Sequence, residues 1–254
     1  MALSTGARLG PYEIVAAVGA GGMGEVYRGR DTRLDRIVAL KVLAPAAAGG
    51  EAAVEFAARF EREARAIAGL QHPNICVLHD VGREGATAYL VMEFLEGETL
   101  AARLRRGPLP LPELARIGIE VAAGLERAHR AGIVHRDLKP GNIMLARSAT
   151  GVQAKLLDFG LAKPRAAAAL PPPSFTASLA ATALQSPVTQ AGAVLGTVQY
   201  MSPEQIEGRE ADARSDIFAF GCVLHEMATG KPAFEGASHL SLAAAIIEKQ
   251  PAPV

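Results

Sequence analysis

Apolar and polar positions alternate in three closely spaced runs near the N-terminus: Tyr12 to Val18, Glu25 to Arg30 and Ile37 to Leu43. A period of two sends successive side chains to opposite faces, so each run predicts a strand, and the short gaps predict an antiparallel meander. From Glu51 to Leu70 the period lengthens. Val54, Ala57, Ala58, Ile67 and Leu70 lie among charges as on a helical stripe, which ends near Gly69 and no later than His72-Pro73. Two more runs, Val77 to Val81 and Ala88 to Phe94, complete a small lobe of five strands and one helix.

Past Phe94 the helical period takes over. Helices are predicted over Thr99 to Arg105, over Pro112 to Ala131 with Leu114, Ile117, Val121, Leu125 and Ala128 on one stripe, over Ala213 to Gly230, and over Leu240 to Lys249. The Ala-, Pro- and Ser/Thr-rich stretch 166–195, with Pro171-Pro172-Pro173, has no period and reads as a mobile loop. A small β lobe followed by a larger, mainly α lobe is the expected architecture.

Composition narrows the function classes. With 254 residues, half of them apolar, the chain can bury a large core. Lys plus Arg equals Asp plus Glu at 26 each, so no global field draws it to nucleic acid or to an acidic membrane surface. Cys76 and Cys222 lack metal-ligand spacing and read as two buried thiols in a reducing compartment. No run reaches the roughly 20 apolar residues of a membrane span, and the expected location is cytoplasmic, with a parent protein that could be anchored elsewhere in its length.

Three ordered motifs carry chemistry. Gly19-Ala20-Gly21-Gly22-Met23-Gly24 is followed by the strand-like Glu25-Val26-Tyr27, so these glycines join strand to strand and not strand to helix as in a dinucleotide site. Glycines there let backbone amides approach phosphate oxygens, although a plain hairpin turn is the competing reading. Lys41 sits inside an apolar strand, where an ammonium needs an anionic partner. His135-Arg136-Asp137-Leu138-Lys139-Pro140-Gly141-Asn142 precedes Asp158-Phe159-Gly160. Phosphoryl transfer asks for a carboxylate to orient a hydroxyl, hard oxygen ligands for magnesium, and donors around the phosphates. Asp137, the pair Asn142 and Asp158, and Lys139 supply that set.

From about Leu9 to about Lys249 the chain resembles a bacterial, eukaryotic-like serine/threonine protein kinase. The resemblance implies an α+β, two-lobed protein-kinase-like fold, with an N-terminal lobe over 1–95, a C-terminal lobe over 96–254 that lacks the family's last helices, and an activation segment over 158–204 within it. It implies ATP and Mg2+ as cofactors, with Mn2+ as an alternative metal. Glu63 matches the family's ion-pair partner of Lys41, and helical register favours it over Glu61. Backbone groups of Glu93 and Leu95 would meet adenine beneath Met92, with Val18, Val26, Ala39, Met144 and Leu157 around the ring. Ile67, Leu78, His135 and Phe159 would stack into a spine anchored by Asp216.

Arg136 is of the kind that pairs with a phosphorylated activation segment. Thr189 resembles the activating threonine, ahead of Ser186 and Thr182, and Thr197 resembles the threonine that bonds Asp137 and Lys139. Ser202-Pro203-Glu204 replaces the commoner Ala-Pro-Glu. The family normally continues further and supplies an arginine for Glu204; that arginine is absent from this sequence, so without another polypeptide to supply the missing part an unpaired Glu204 and exposed apolar surface on the larger lobe are expected. Implied partners are protein substrates with serine or threonine hydroxyls, with self-association through the small lobe; nucleic acid is not among them. The competing function is a nucleotide-binding pseudokinase or docking module inactive through C-terminal truncation, which has no physical need for base and metal groups together. A small-molecule kinase is a weaker third reading, disfavoured by Lys139 and by residues 196–204.

Overall fold

In a computed structural model the chain is described over residues 3–21, 24–43, 61–85, 87–148, 151–159 and 198–253. It divides into two compact units, Met1–Glu96 and Gly97–Val254.

Among the described residues the first unit is one antiparallel sheet and a helix. Its strands are β1 (Arg8–Leu9), β2 (Tyr12–Gly21), β3 (Gly24–Asp31), β4 (Arg36–Leu43), β5 (Leu78–Glu84) and β6 (Thr87–Glu93), in the order β1-β2-β3-β4-β6-β5. Residues 61–68 form helix α1. The sheet has six strands, because the two-residue β1, pairing Arg8 with Glu13 and Leu9 with Tyr12, is too short to leave a periodic signal.

Residues opposite one another in an antiparallel pair share a face. Tyr27 pairs with Leu40 and Leu40 with Val91, and Gly29 lies between Ile14 and Val38. This face is the core of the unit: Leu9, Tyr12, Ile14, Tyr27, Val38, Leu40, Tyr89 and Val91 are all buried together. Each such side chain contributes about 1.5–3 kcal/mol relative to exposure. Gly29 is dictated by packing, since a Cβ there would lie 2.5 Å from Leu40 Cδ1.

The second unit opens with β7 (Gly97–Thr99) and helices α2 (Leu100–Leu104) and α3 (Leu111–Arg130). A 3-10 turn at Pro140–Asn142 leads into β8 (Ile143–Ser148) and β9 (Gly151–Leu156), which join β7 in a three-stranded sheet of order β7-β8-β9. Helices α4 (Pro203–Ile206), α5 (Ala213–Thr229) and α6 (His239–Glu248) follow. Helix α3 has Pro112 and Glu113 in its first turn and Arg127, His129 and Arg130 in its last, the charges in the sense the helix dipole favours. Helix α5 is capped by Asp212, whose carboxylate accepts from the Arg214 amide at 2.8 Å, and ends at Gly230, with φ 71°. A second core gathers Val198, Ile206, Cys222, Phe234, Leu242, Ala243 and Ile246. Burial pushes the Cys222 thiol up to about 12, so it behaves as an apolar side chain. Cys76 is half-buried and takes part in no disulfide among the described residues.

Glu204 departs from expectation. Its carboxylate accepts a hydrogen bond from Ser215 Oγ on α5. Burial pushes its pKa up, but that bond and its other donors more than offset it, and the group lies below the usual carboxylate range. An apolar groove is present between α3 and α5, lined by Ala122, Leu125, Ile217 and Phe220 with Glu126, His129 and Arg130 at its rim, and Ile217 is 56% exposed. Among the described residues no helix is long and apolar enough to cross a membrane. The loop expected over 166–195 lies outside the described residues.

Candidate functional site

In the first unit the sheet has a second face, opposite the buried core. Val26 pairs with Lys41 and Lys41 with Leu90; in the next row Arg28 pairs with Ala39 and Ala39 with Met92. Val26, Ala39, Lys41 and Met92 therefore share one face, and Gly19, registered against Val26, adjoins them. Lys41 is only 8% exposed. Val18, at a register shift between Ala17 and Gly19, is 58% exposed. Gly21 and Gly24 close the β2–β3 hairpin as a registered pair. Gly24, at φ +137°, passes so close to β4 that a Cβ would lie 2.0 Å from the Val42 carbonyl oxygen. A Cβ added at Gly19 would meet nothing within 4 Å among the described residues, so packing does not explain its missing side chain. Gly22 lies outside the described residues.

On helix α1, Glu61 bonds Arg65 one turn along the exposed face at 3.2 Å, and Glu63 is half-buried. At the C-terminal end of β6, the Glu93 amide donates to Val77 O at 2.9 Å and its carbonyl faces Cys76 Sγ at 3.7 Å. Leu95, half-buried, follows the end of that strand.

In the second unit the geometry is tighter. Asp216, 1% exposed on α5, accepts the His135 amide at 2.7 Å through Oδ2 and the Arg136 amide at 2.8 Å through Oδ1. His129 Nε2 lies 2.7 Å from the same Oδ2. Two consecutive backbone N–H groups are thus held by one buried carboxylate, which fixes the loop that follows. His135 Nε2 faces the Leu157 carbonyl at 2.8 Å, and an oxygen of that kind only accepts, so Nε2 carries the proton. Nδ1 is then free to accept from the Asp137 amide at 3.3 Å. Complete burial holds the His135 pKa below the imidazole range, consistent with that neutral tautomer. His135 also stacks on Phe159, with centroids 4.7 Å apart, so its role is structural.

Asp137 lies at the end of this scaffold, 7% exposed. Lys139 Nζ is 3.0 Å from Asp137 Oδ2, and Asn142 Nδ2 donates both to Asp137 O at 2.8 Å and to Oδ2 at 3.0 Å. With its NH2 so engaged, Asn142 retains its amide oxygen as the ligand-type atom. The Leu157 amide donates to Asn142 O at 2.9 Å and Ile143 pairs with Leu156, which brings the residue before Asp158 against Asn142. Asp158 itself takes a left-handed backbone, φ 53°. Two hard oxygen side chains beside one hairpin suit a magnesium ion better than a soft metal. Met144 and Leu157, both half-buried, sit on the same hairpin. Thr189 and Thr197 lie outside the described residues.

Sequence reasoning missed His129 and Gln205. His129 could have been found as a polar ring on the last turn of an otherwise apolar stripe; Gln205 left no comparable signal.

The chain thus has two compact units, one a β-sheet carrying Lys41 and the other a mainly helical body carrying the Asp137, Lys139 and Asn142 cluster. A family model described as protein kinase domain matches residues 12–252, and the chain belongs to that family. A probable serine/threonine-protein kinase of Streptomyces coelicolor is 41% identical over 95% of this chain and 33% of its own length. PknL of Mycobacterium tuberculosis is 41% identical over 91% of this chain and 52% of its own. The chain thus spans between about a third and a half of these curated relatives. The crystal structure of a double mutant of the Mycobacterium tuberculosis PknI kinase domain superposes with a TM-score of 0.72 at 28% identity, covering 99% of this chain and 83% of that one.

Proposed function

We propose that this chain is an ATP-dependent protein serine/threonine kinase, transferring the γ-phosphoryl group to hydroxyls of protein substrates. The observation that carries the reading is the Asp137 cluster: one carboxylate held by a lysine and an amide, on a loop anchored through two backbone amides to Asp216. The names of the relatives support serine and threonine as acceptors.

In this reading Asp137 accepts the substrate hydroxyl's proton and orients its oxygen, and Lys139 neutralises charge on the transferring group. Asn142 and Asp158 would hold Mg2+, which supplies charge neutralisation across the phosphates when bound. Gly19, Gly21, Gly22 and Gly24 offer backbone donors to the phosphates, Lys41 steadies them, and Lys41 and Glu63 form their ion pair when nucleotide is bound. Val18, Val26, Ala39, Met144 and Leu157 enclose the adenine ring, with backbone groups of Glu93 and Leu95 on its edge. Autophosphorylation at Thr189 and pairing of the product with Arg136 complete the proposal.

Transfer of radiolabel from γ-labelled ATP to a generic basic protein tests it, with Asp137→Asn as control. Robust label with the native chain and at most a trace with Asp137→Asn is expected. Equal labelling by both overturns the assignment of the base.

A further inference from the structure

Arg136, the residue before Asp137, has φ 63°. A bulky residue in the left-handed region is strained and persists only where its surroundings over-determine it. Asp216 holds the amide on one side of this residue. On the other side, Gln205 Nε2 donates to the Arg136 carbonyl at 3.0 Å. The same side chain's Oε1 accepts from the Ser202 amide at 3.1 Å and from Ser202 Oγ at 3.2 Å. This donor-acceptor pattern admits only one orientation of the amide, since a flipped one would set oxygen against carbonyl and NH2 against N–H.

We infer that Gln205 is a positioning residue for phosphoryl transfer: a strut that locks the strained Arg136 peptide, and with it Asp137, to the chain at residues 202–205. The inference rests on Asp137 as the base. Its two halves have separate jobs. Oε1 closes the start of α4, while Nε2 reaches 69 residues back to the loop of Asp137. Hydrogen bonds of 3.0–3.2 Å at both ends make the side chain a rigid link between the end of the 158–204 segment and the carboxylate. A change at residues 202–205 would therefore be felt as a change in the aim of Asp137, with no contact to nucleotide.

Gln205→Glu separates the two jobs. A carboxylate still accepts from Ser202 but sets an oxygen against the Arg136 carbonyl in place of a donor. Gln205→Ala is less informative, because a cavity of about 10 Å³ already lies beside Arg136, Asp137 and Gln205, and enlarging it admits a bridging water. Three readouts are taken on the native chain, Gln205→Glu and Asp137→Asn: kcat and KM for ATP with the basic protein substrate, the thermal midpoint, and amide hydrogen exchange of residues 135–138.

The strut predicts for Gln205→Glu a fall in kcat of about tenfold with KM for ATP within about twofold, a midpoint within about 3 °C of native, and severalfold faster exchange at 135–138. Native kcat, or native exchange at 135–138, overturns it, as does a kcat loss accompanied by a matching collapse of the midpoint. If Asp137→Asn turns over like the native chain, the base assignment falls instead; exchange at 135–138 still decides whether the strut exists.

Discussion

Asn142 spends both of its amide hydrogens on Asp137, one on the backbone carbonyl and one on the side-chain Oδ2. An aspartate at this position would be a metal ligand of the same size but would set two carboxylates against each other with no donor between them. Asn142→Asp is therefore expected to lower kcat by about 100-fold or more, since an interaction with a charged group is replaced by repulsion; steady-state kinetics at saturating Mg-ATP check this. Glu226 presents the opposite problem. Burial raises its pKa, although the bond donated by the Tyr200 hydroxyl partly offsets this. The folded state then binds the proton more tightly than the unfolded one, so stability falls as pH rises from the ordinary carboxylate range through the raised value. Glu226→Gln keeps an acceptor for Tyr200 without a buried charge. Thermal melts should show the variant more stable than the native chain at pH 8, with the gap closing toward pH 4; a constant gap would contradict the sign.

At the scale of elements, the glycines of the β2–β3 hairpin separate into two kinds. Gly24 is required by the fold, because a Cβ would strike the Val42 carbonyl, whereas a Cβ at Gly19 would meet nothing within 4 Å among the described residues. Gly24→Ala should lower the thermal midpoint sharply, while Gly19→Ala should leave it nearly unchanged and raise KM for ATP, as measured by melts and initial rates. Gly230→Ala, at the left-handed C-cap of α5, should cost about 1 kcal/mol in denaturant unfolding. The long elements were legible because their burial is periodic: α3 buries Ile117, Val121, Leu125 and Ala128, all on the stripe read from sequence. The β7-β8-β9 sheet was not, because three residues of β7 carry no period and Ala146 and Ala154 give little hydrophobic contrast. In the site, residues whose types are set by chemistry stood out by motif. Those that act through geometry did not: Asp216 was expected as an anchor by resemblance, but Gln205 is a common polar residue whose importance arises from a contact 69 positions away. The Lys41–Glu63 pairing was expected from resemblance, with register only favouring Glu63 over Glu61, because register fixes a helix face but not the distance from that face to the sheet.

For the molecule as a whole, charge is balanced, so solubility depends on how apolar surface is distributed. The groove between α3 and α5 concentrates it, with Ile217 and Phe220 on one wall and Leu125 on the other. Contiguous apolar surface of this kind favours association in water. Ile217→Glu should therefore reduce the fraction of aggregated material in sedimentation velocity, and lower the binding of a hydrophobic dye, without altering the helix content seen by circular dichroism. An unchanged sedimentation profile would remove the groove as the cause.

The backbone of Leu157 is tied at both ends, its amide to the Asn142 carbonyl and its carbonyl to His135. Neither tie involves the side chain. Position 157 can therefore be shaved to alanine or widened to methionine without re-aiming the aspartate that follows. Under the proposed function, in which Leu157 borders the adenine ring, that makes it the natural place to vary the room offered to the base.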